Sequence, residues 1–131
     1  MKRKEAKAPK DVFHSMVAIV DKLAKAPMRT FVVGGWWYDG GRKFSVHPLC
    51  YAAGLFDPDE ISMLHQTGDS NLFSRIADRL GLPCDAVEAW EKYYRLRGGG
   101  RQIGVITRAE TVDALTGAAV DLRKEIYKSG D

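Results

Sequence analysis

Cysteine is scarce in this chain of 131 residues. Only Cys50 and Cys84 occur, with no paired spacing, so neither a disulfide framework nor a zinc ribbon is expected, and a reducing compartment is the simpler setting. A long apolar run is also lacking. The basic start MKRKEAKAPK leads into a segment broken by Asp11, His14, Asp21 and Lys22, which argues against a signal peptide and a membrane span. The chain therefore reads as soluble and cytoplasmic, with no membrane partner. There is little net charge, +3, so composition alone does not demand a polyanionic partner. The glycine-rich stretch GGGRQIG fits neither phosphate-loop pattern: Ile103 stands where a dinucleotide loop needs its third glycine, and no Gly-Lys-Ser/Thr follows. A flexible connection is the plain reading of that stretch, and an arginine-bearing loop that grips phosphate is the sharper one.

What the chain does have is material for one core, with 45% hydrophobic residues and 28% charged. Residues 1–10 read as a basic flexible arm and 11–131 as a single helical domain. Phe13, Met16, Val17, Val20 and Leu23 recur at helical spacing between Asp11, placed to cap, and Pro27. Phe31–Val33, Trp36–Tyr38 and Arg42–Val46 favour extended structure, and Asp39-Gly40-Gly41 supplies a tight turn, predicting a small β-hairpin over about residues 31–46. In alternating extended structure Trp36 and Trp37 point to opposite faces, so one can enter the core while the other needs a helix or a partner to cover it. A short helix follows from Pro48. Asp57-Pro58-Asp59-Glu60 then has the cap, the first-turn proline and the acids that open a helix, ahead of Ile61, Met63 and Leu64. Ser70 is placed to cap a helix carrying Leu72, Phe73, Ile76 and Leu80; Gly81 closes it, and Asp85 opens the next with Val87, Trp90 and Tyr94 on one side. Thr107 and Glu110 form a capping box before a long helix bearing Val112, Leu115, Ala119, Leu122 and Ile126. The fold class expected is mainly α, a compact helical domain with a small hairpin.

Residues 76–90 resemble the helix-turn-helix pattern of DNA-binding domains. Ala77 is the small residue where two helices meet, Gly81 makes the turn, and Ile76, Leu80, Leu82, Val87 and Trp90 take the buried positions. The resemblance implies nucleic-acid binding, with phosphate neutralised by Lys2, Arg3, Lys4, Arg75, Arg79, Lys92, Arg95, Arg97 and Arg101. Against it, the exposed positions of the second helix include Asp85 and Glu88, with Glu91 behind, which would bring carboxylates to a polyanion. Arginines at helix ends are also favoured by the helix dipole alone. A second likeness spans more of the chain: Trp36-Trp37, Cys50-Tyr51-Ala52-Ala53-Gly54, Trp90 and Thr107-Arg108-Ala109-Glu110-Thr111-Val112 together are similar to a small uncharacterised domain family of actinobacteria and their phages. That likeness implies a compact helical fold and no assigned activity.

Two function classes follow. The first is a small non-catalytic regulatory protein that binds nucleic acid. The alternative is a protein-binding module or inhibitor, such as a phage or mobile-element accessory protein, using Trp36, Trp37, Asp85, Glu88, Glu91, Tyr93 and Tyr94. A third reading is a cysteine-dependent enzyme: Cys50 would be the nucleophile and His47, His65 or His14 its base, but no orienting acid or signature accompanies them. The set His47, Cys50, His65 and Cys84 matches no zinc module, and Asp57, Asp59 and Glu60 are accounted for by helix capping. No catalytic residue, metal or cofactor is expected.

Overall fold

A computed structural model describes residues 9–39, 44–98 and 104–130. The chain begins with α1 (Pro9–Ala24), whose Val12, Met16, Val20 and Leu23 form a buried stripe. Pro9 is at home in a first turn, where its missing N–H is not required. The helix thus starts two residues before the expected cap Asp11, and Pro9 and Lys10 belong to it and not to an arm.

Next come β1 (Thr30–Val33), β2 (Trp37–Asp39) and β3 (Phe44–Val46). The hairpin is β2 with β3, antiparallel, with Trp37 opposite Val46. The expected turn glycines Gly40 and Gly41, and the extended residues Arg42 and Lys43, lie outside the described residues. β1 is not part of that ladder. It pairs antiparallel with β4 (Gly104–Thr107), Thr30 facing Thr107 and Val33 facing Gly104. The expectation of one hairpin from residue 31 is corrected on this point; of the stretch GGGRQIG expected as a flexible connection, Gly104 opens this strand and residues 99–103 lie outside the described residues. A side-chain link, Thr30 Oγ1 to Ser45 Oγ at 2.7 Å, joins β1 to β3.

Four helices follow in quick succession: α2 (Pro48–Ala52), α3 (Pro58–Gln66), α4 (Asp69–Leu80) and α5 (Cys84–Arg97). Asp57 caps α3 as expected, its Oδ1 accepting from Asp59 N–H at 3.0 Å. Ser70 does not cap α4, because that helix already starts at Asp69 with Gly68 before it. The last helix, α6 (Arg108–Gly130), is entered through a reciprocal box: Glu110 Oε1 accepts from Thr107 N–H at 3.0 Å, and Thr107 Oγ1 accepts from Glu110 N–H at 3.1 Å.

α6 packs along both α1 and α5, and these three helices supply nearly half of the buried core. Trp90 and Tyr94 of α5 are its largest members and are wholly buried. The Trp90 indole N–H donates to Leu115 O of α6 at 3.0 Å, and the Tyr94 hydroxyl donates to Val32 O of β1 at 3.0 Å. Each ring therefore fills space and satisfies its own polar atom. Gly98 ends α5 against β1, where a Cβ would stand 2.6 Å from Val33 Cγ2. No described helix is long and apolar enough to cross a membrane.

Candidate functional site

The helix pair quoted in the DNA-binding resemblance is built as follows. At Gly81 the backbone turns into the left-handed region, φ 70°, and the N–H groups of Gly81 and Leu82 both reach Ala77 O. One of the terminal carbonyls of α4, that of Ala77, is thereby satisfied twice over, and the chain leaves in a new direction through Pro83. Ile76, Ala77, Leu82, Val87 and Trp90 are buried, whereas Leu80 is only half-buried. The outward stripe of α5 runs Asp85, Glu88, Lys92, Arg95, acids first and bases last. That order matches the helix dipole. Cys84 and Ala89 are half-buried, with Cys84 Sγ 3.8 Å from Ser74 Oγ.

Of the described cations proposed for phosphate, Arg79, Arg95 and Arg97 have protein partners. Arg79 donates to Ala53 O at 3.3 Å and so caps the end of α2. Arg97 donates through Nε and Nη2 to Asp121 Oδ2, at 3.0 and 2.8 Å, lying flat over Gly117 as a clamp between α5 and α6. Arg95 stands 3.8 Å from Glu91 one turn earlier. Arg75 and Lys92 are exposed, Arg75 in a polar groove with Asn71, Ser74 and Asp78. Lys2, Arg3, Lys4 and Arg101 lie outside the described residues. Arg108, which sequence reasoning did not single out, donates to Ala26 O and ties α6 to the end of α1. An open groove of about 780 Å³ runs beside it, with Arg29, Val112 and Asp113 among its lining residues.

Two residues of the enzyme reading, Cys50 and His47, have packing and capping roles. Cys50 is wholly buried in apolar surroundings, and burial pushes its thiol up to about 12, the opposite of an activated nucleophile. His47 is used as a helix cap: Nδ1 accepts from Leu49 N–H at 3.1 Å, which leaves the proton on Nε2, 3.8 Å from Glu91 Oε2. The ring lies between Trp36 and Tyr94, at centroid distances of 4.8 and 5.2 Å. Burial holds the imidazole below its ordinary pKa despite the opposing pull of Glu91. Among the described residues, no three of His, Cys, Asp and Glu gather where a metal ion could sit.

The protein-binding residues divide into buried and exposed. Tyr94 is a core residue and is corrected from surface to interior, whereas Tyr93 and Trp36 are half-buried against the core and Glu91 is 12% exposed between His47 and Arg95. Trp36 packs edge-on against Phe73, at 5.2 Å. Asp85 and Glu88 are exposed on α5. Trp37 is the indole left outside, 39% exposed, and its N–H donates to Ser62 Oγ of α3 at 3.2 Å. Beside it in sequence Tyr38 is also exposed, and next to Ser62 stands Met63, 62% exposed. The chain matches no family model, no curated protein and no solved structure. What the face can do must therefore be judged from its own chemistry. Met63 was missed because Ile61, Met63 and Leu64 look like one apolar group. At 3.6 residues per turn, though, Met63 lies about 200° round from the buried Ile61. That angle was the available signal.

Proposed function

We propose that this protein is a non-catalytic binding module that docks a protein partner on the face formed by Trp37 and Met63. The observation that carries the reading is the Trp37 indole, large and exposed yet held in one orientation by its hydrogen bond to Ser62. A fixed aromatic ring offers contact area without a large loss of side-chain freedom, which is the character of residues that dominate interfaces. The neighbouring thioether adapts to an uneven partner surface. Removing an anchor of this kind weakens binding by about thirtyfold or more.

Nucleic-acid binding is the second reading, favoured by the exposure of Arg75 and Lys92. One experiment addresses both. The full chain is used for affinity capture from its native cells, beside Trp37→Ala and Arg75→Ala/Lys92→Ala variants shown to be folded by circular dichroism. A protein retained by the parent and lost with Trp37→Ala supports docking. Retention indifferent to Trp37→Ala refutes it. Retention of nuclease-sensitive material that falls steeply with salt and needs Arg75 and Lys92 moves the assignment to the second reading.

A further inference from the structure

The docking face has a sign as well as a shape. On a helix, side chains three and four residues apart share a stripe, so Asp59 stands one turn from both Ser62 and Met63. Ser62 is where Trp37 is held, which places the indole, the thioether and the Asp59 carboxylate along one edge of α3. Asp57, also exposed, precedes it, and Glu60 follows, half-buried. Capping explains why acids collect at this end of the helix, but it engages only Asp57 Oδ1. Among the described residues no cation pairs with Asp57, Asp59 or Glu60.

We infer that the partner segment for this face carries an apolar anchor flanked by lysine or arginine. The inference rests on the docking reading given above and adds the chemistry of the occupant. An apolar side chain would seat against Trp37 and Met63, and a cation about one helical turn away, roughly 5 Å along the axis, would meet Asp59. The same carboxylates disfavour an acidic segment or a phosphate backbone at this face, because like charges brought together at an interface are a penalty against the wrong partner. The acids thus select among partners, while the indole supplies most of the affinity.

The test uses the full chain and two short amphipathic helical peptides identical except in sign, one of leucine and lysine, the other of leucine and glutamate, with affinity read by calorimetry at two salt concentrations. The lysine peptide is expected to bind, more weakly at high salt, and to lose about tenfold or more with Trp37→Ala. Asp59→Asn/Glu60→Gln, which keeps the Asp57 cap, should reduce the preference for lysine, and Asp59→Lys/Glu60→Lys should reverse it; circular dichroism checks that each variant is folded. Equal or stronger binding of the glutamate peptide, still dependent on Trp37, overturns the inferred sign while the docking reading stands. Lysine-peptide binding indifferent to Trp37→Ala overturns the inference as surface attraction elsewhere. Binding of neither peptide overturns it too, and the capture experiment then judges docking separately. Concentration-dependent self-association abolished by Trp37→Ala, seen by sedimentation, overturns it in favour of a second copy of the chain.

Discussion

Gly81→Ala isolates the backbone term in the α4–α5 turn. The glycine sits at φ 70°, and a Cβ built there meets nothing within 4 Å, so neither a clash nor a new contact complicates the result. Holding an L-residue in the left-handed region costs about 1–2 kcal/mol. Replacing glycine also stiffens the unfolded chain, which returns about 0.4–1 kcal/mol. The net expectation is a destabilisation of about 1 kcal/mol. Gly104→Ala is the matched control, since its Cβ also meets nothing within 4 Å and its φ is not positive. There only the unfolded-chain effect operates, and the same substitution should stabilise by about 0.4–1 kcal/mol. The two variants should therefore move in opposite directions in urea unfolding, with unchanged slope, each kcal/mol shifting Tm by about 3–5 °C in a domain of this size. Asn at position 81 should cost less than Ala, because it tolerates the left-handed region, and Val should cost more. Gly81→Ala as stable as the parent would refute the account of the turn.

Three further outcomes follow from the structure. Gly117→Ala puts a Cβ 2.5 Å from the Arg97 guanidinium and should displace it from Asp121; its gain in helix propensity, about 1 kcal/mol, should emerge fully only when Asp121→Ala has already removed the pair, a coupling a double-mutant cycle measures. His47 has a folded pKa held below its unfolded value, so the unfolded chain binds the extra proton, and stability should fall as pH drops below about 6.5; His47→Asn, which keeps a cap acceptor, should flatten that part of a stability-against-pH curve. Iodoacetamide should label Cys84 in the native protein and reach Cys50 only in denaturant, read by mass spectrometry; rapid native labelling of Cys50 would contradict its burial.

The helices were legible because their signals are local. The Asp57 cap, the Thr107–Glu110 box and the Gly81 stop each act within four residues, and each appears where the residue types put it. The β1–β4 pairing was not legible, since nothing in Thr30–Val33 names Gly104–Thr107 as a partner and the decision is made by α6 closing over both. At the candidate face Trp37 was legible as the odd indole of a pair, yet which of Trp36 and Trp37 faced outward depended on His47 and Phe73 arriving from distant segments. For a related reason the sequence clustering of the arginines hides that Arg79 and Arg97 are held by Ala53 and Asp121. Charge along a chain does not report which cations are already committed.

The antiparallel clasp between residues 30–33 and 104–107 has a bearing on synthesis in the cell. α1 and the strand after it emerge from the ribosome with their oily sides bare, and their mates are translated some seventy residues later for the strand and more than eighty for the helix. Until then the nascent chain offers both an unpaired strand edge and an uncovered helical stripe to other molecules, the conditions under which aggregation competes with folding.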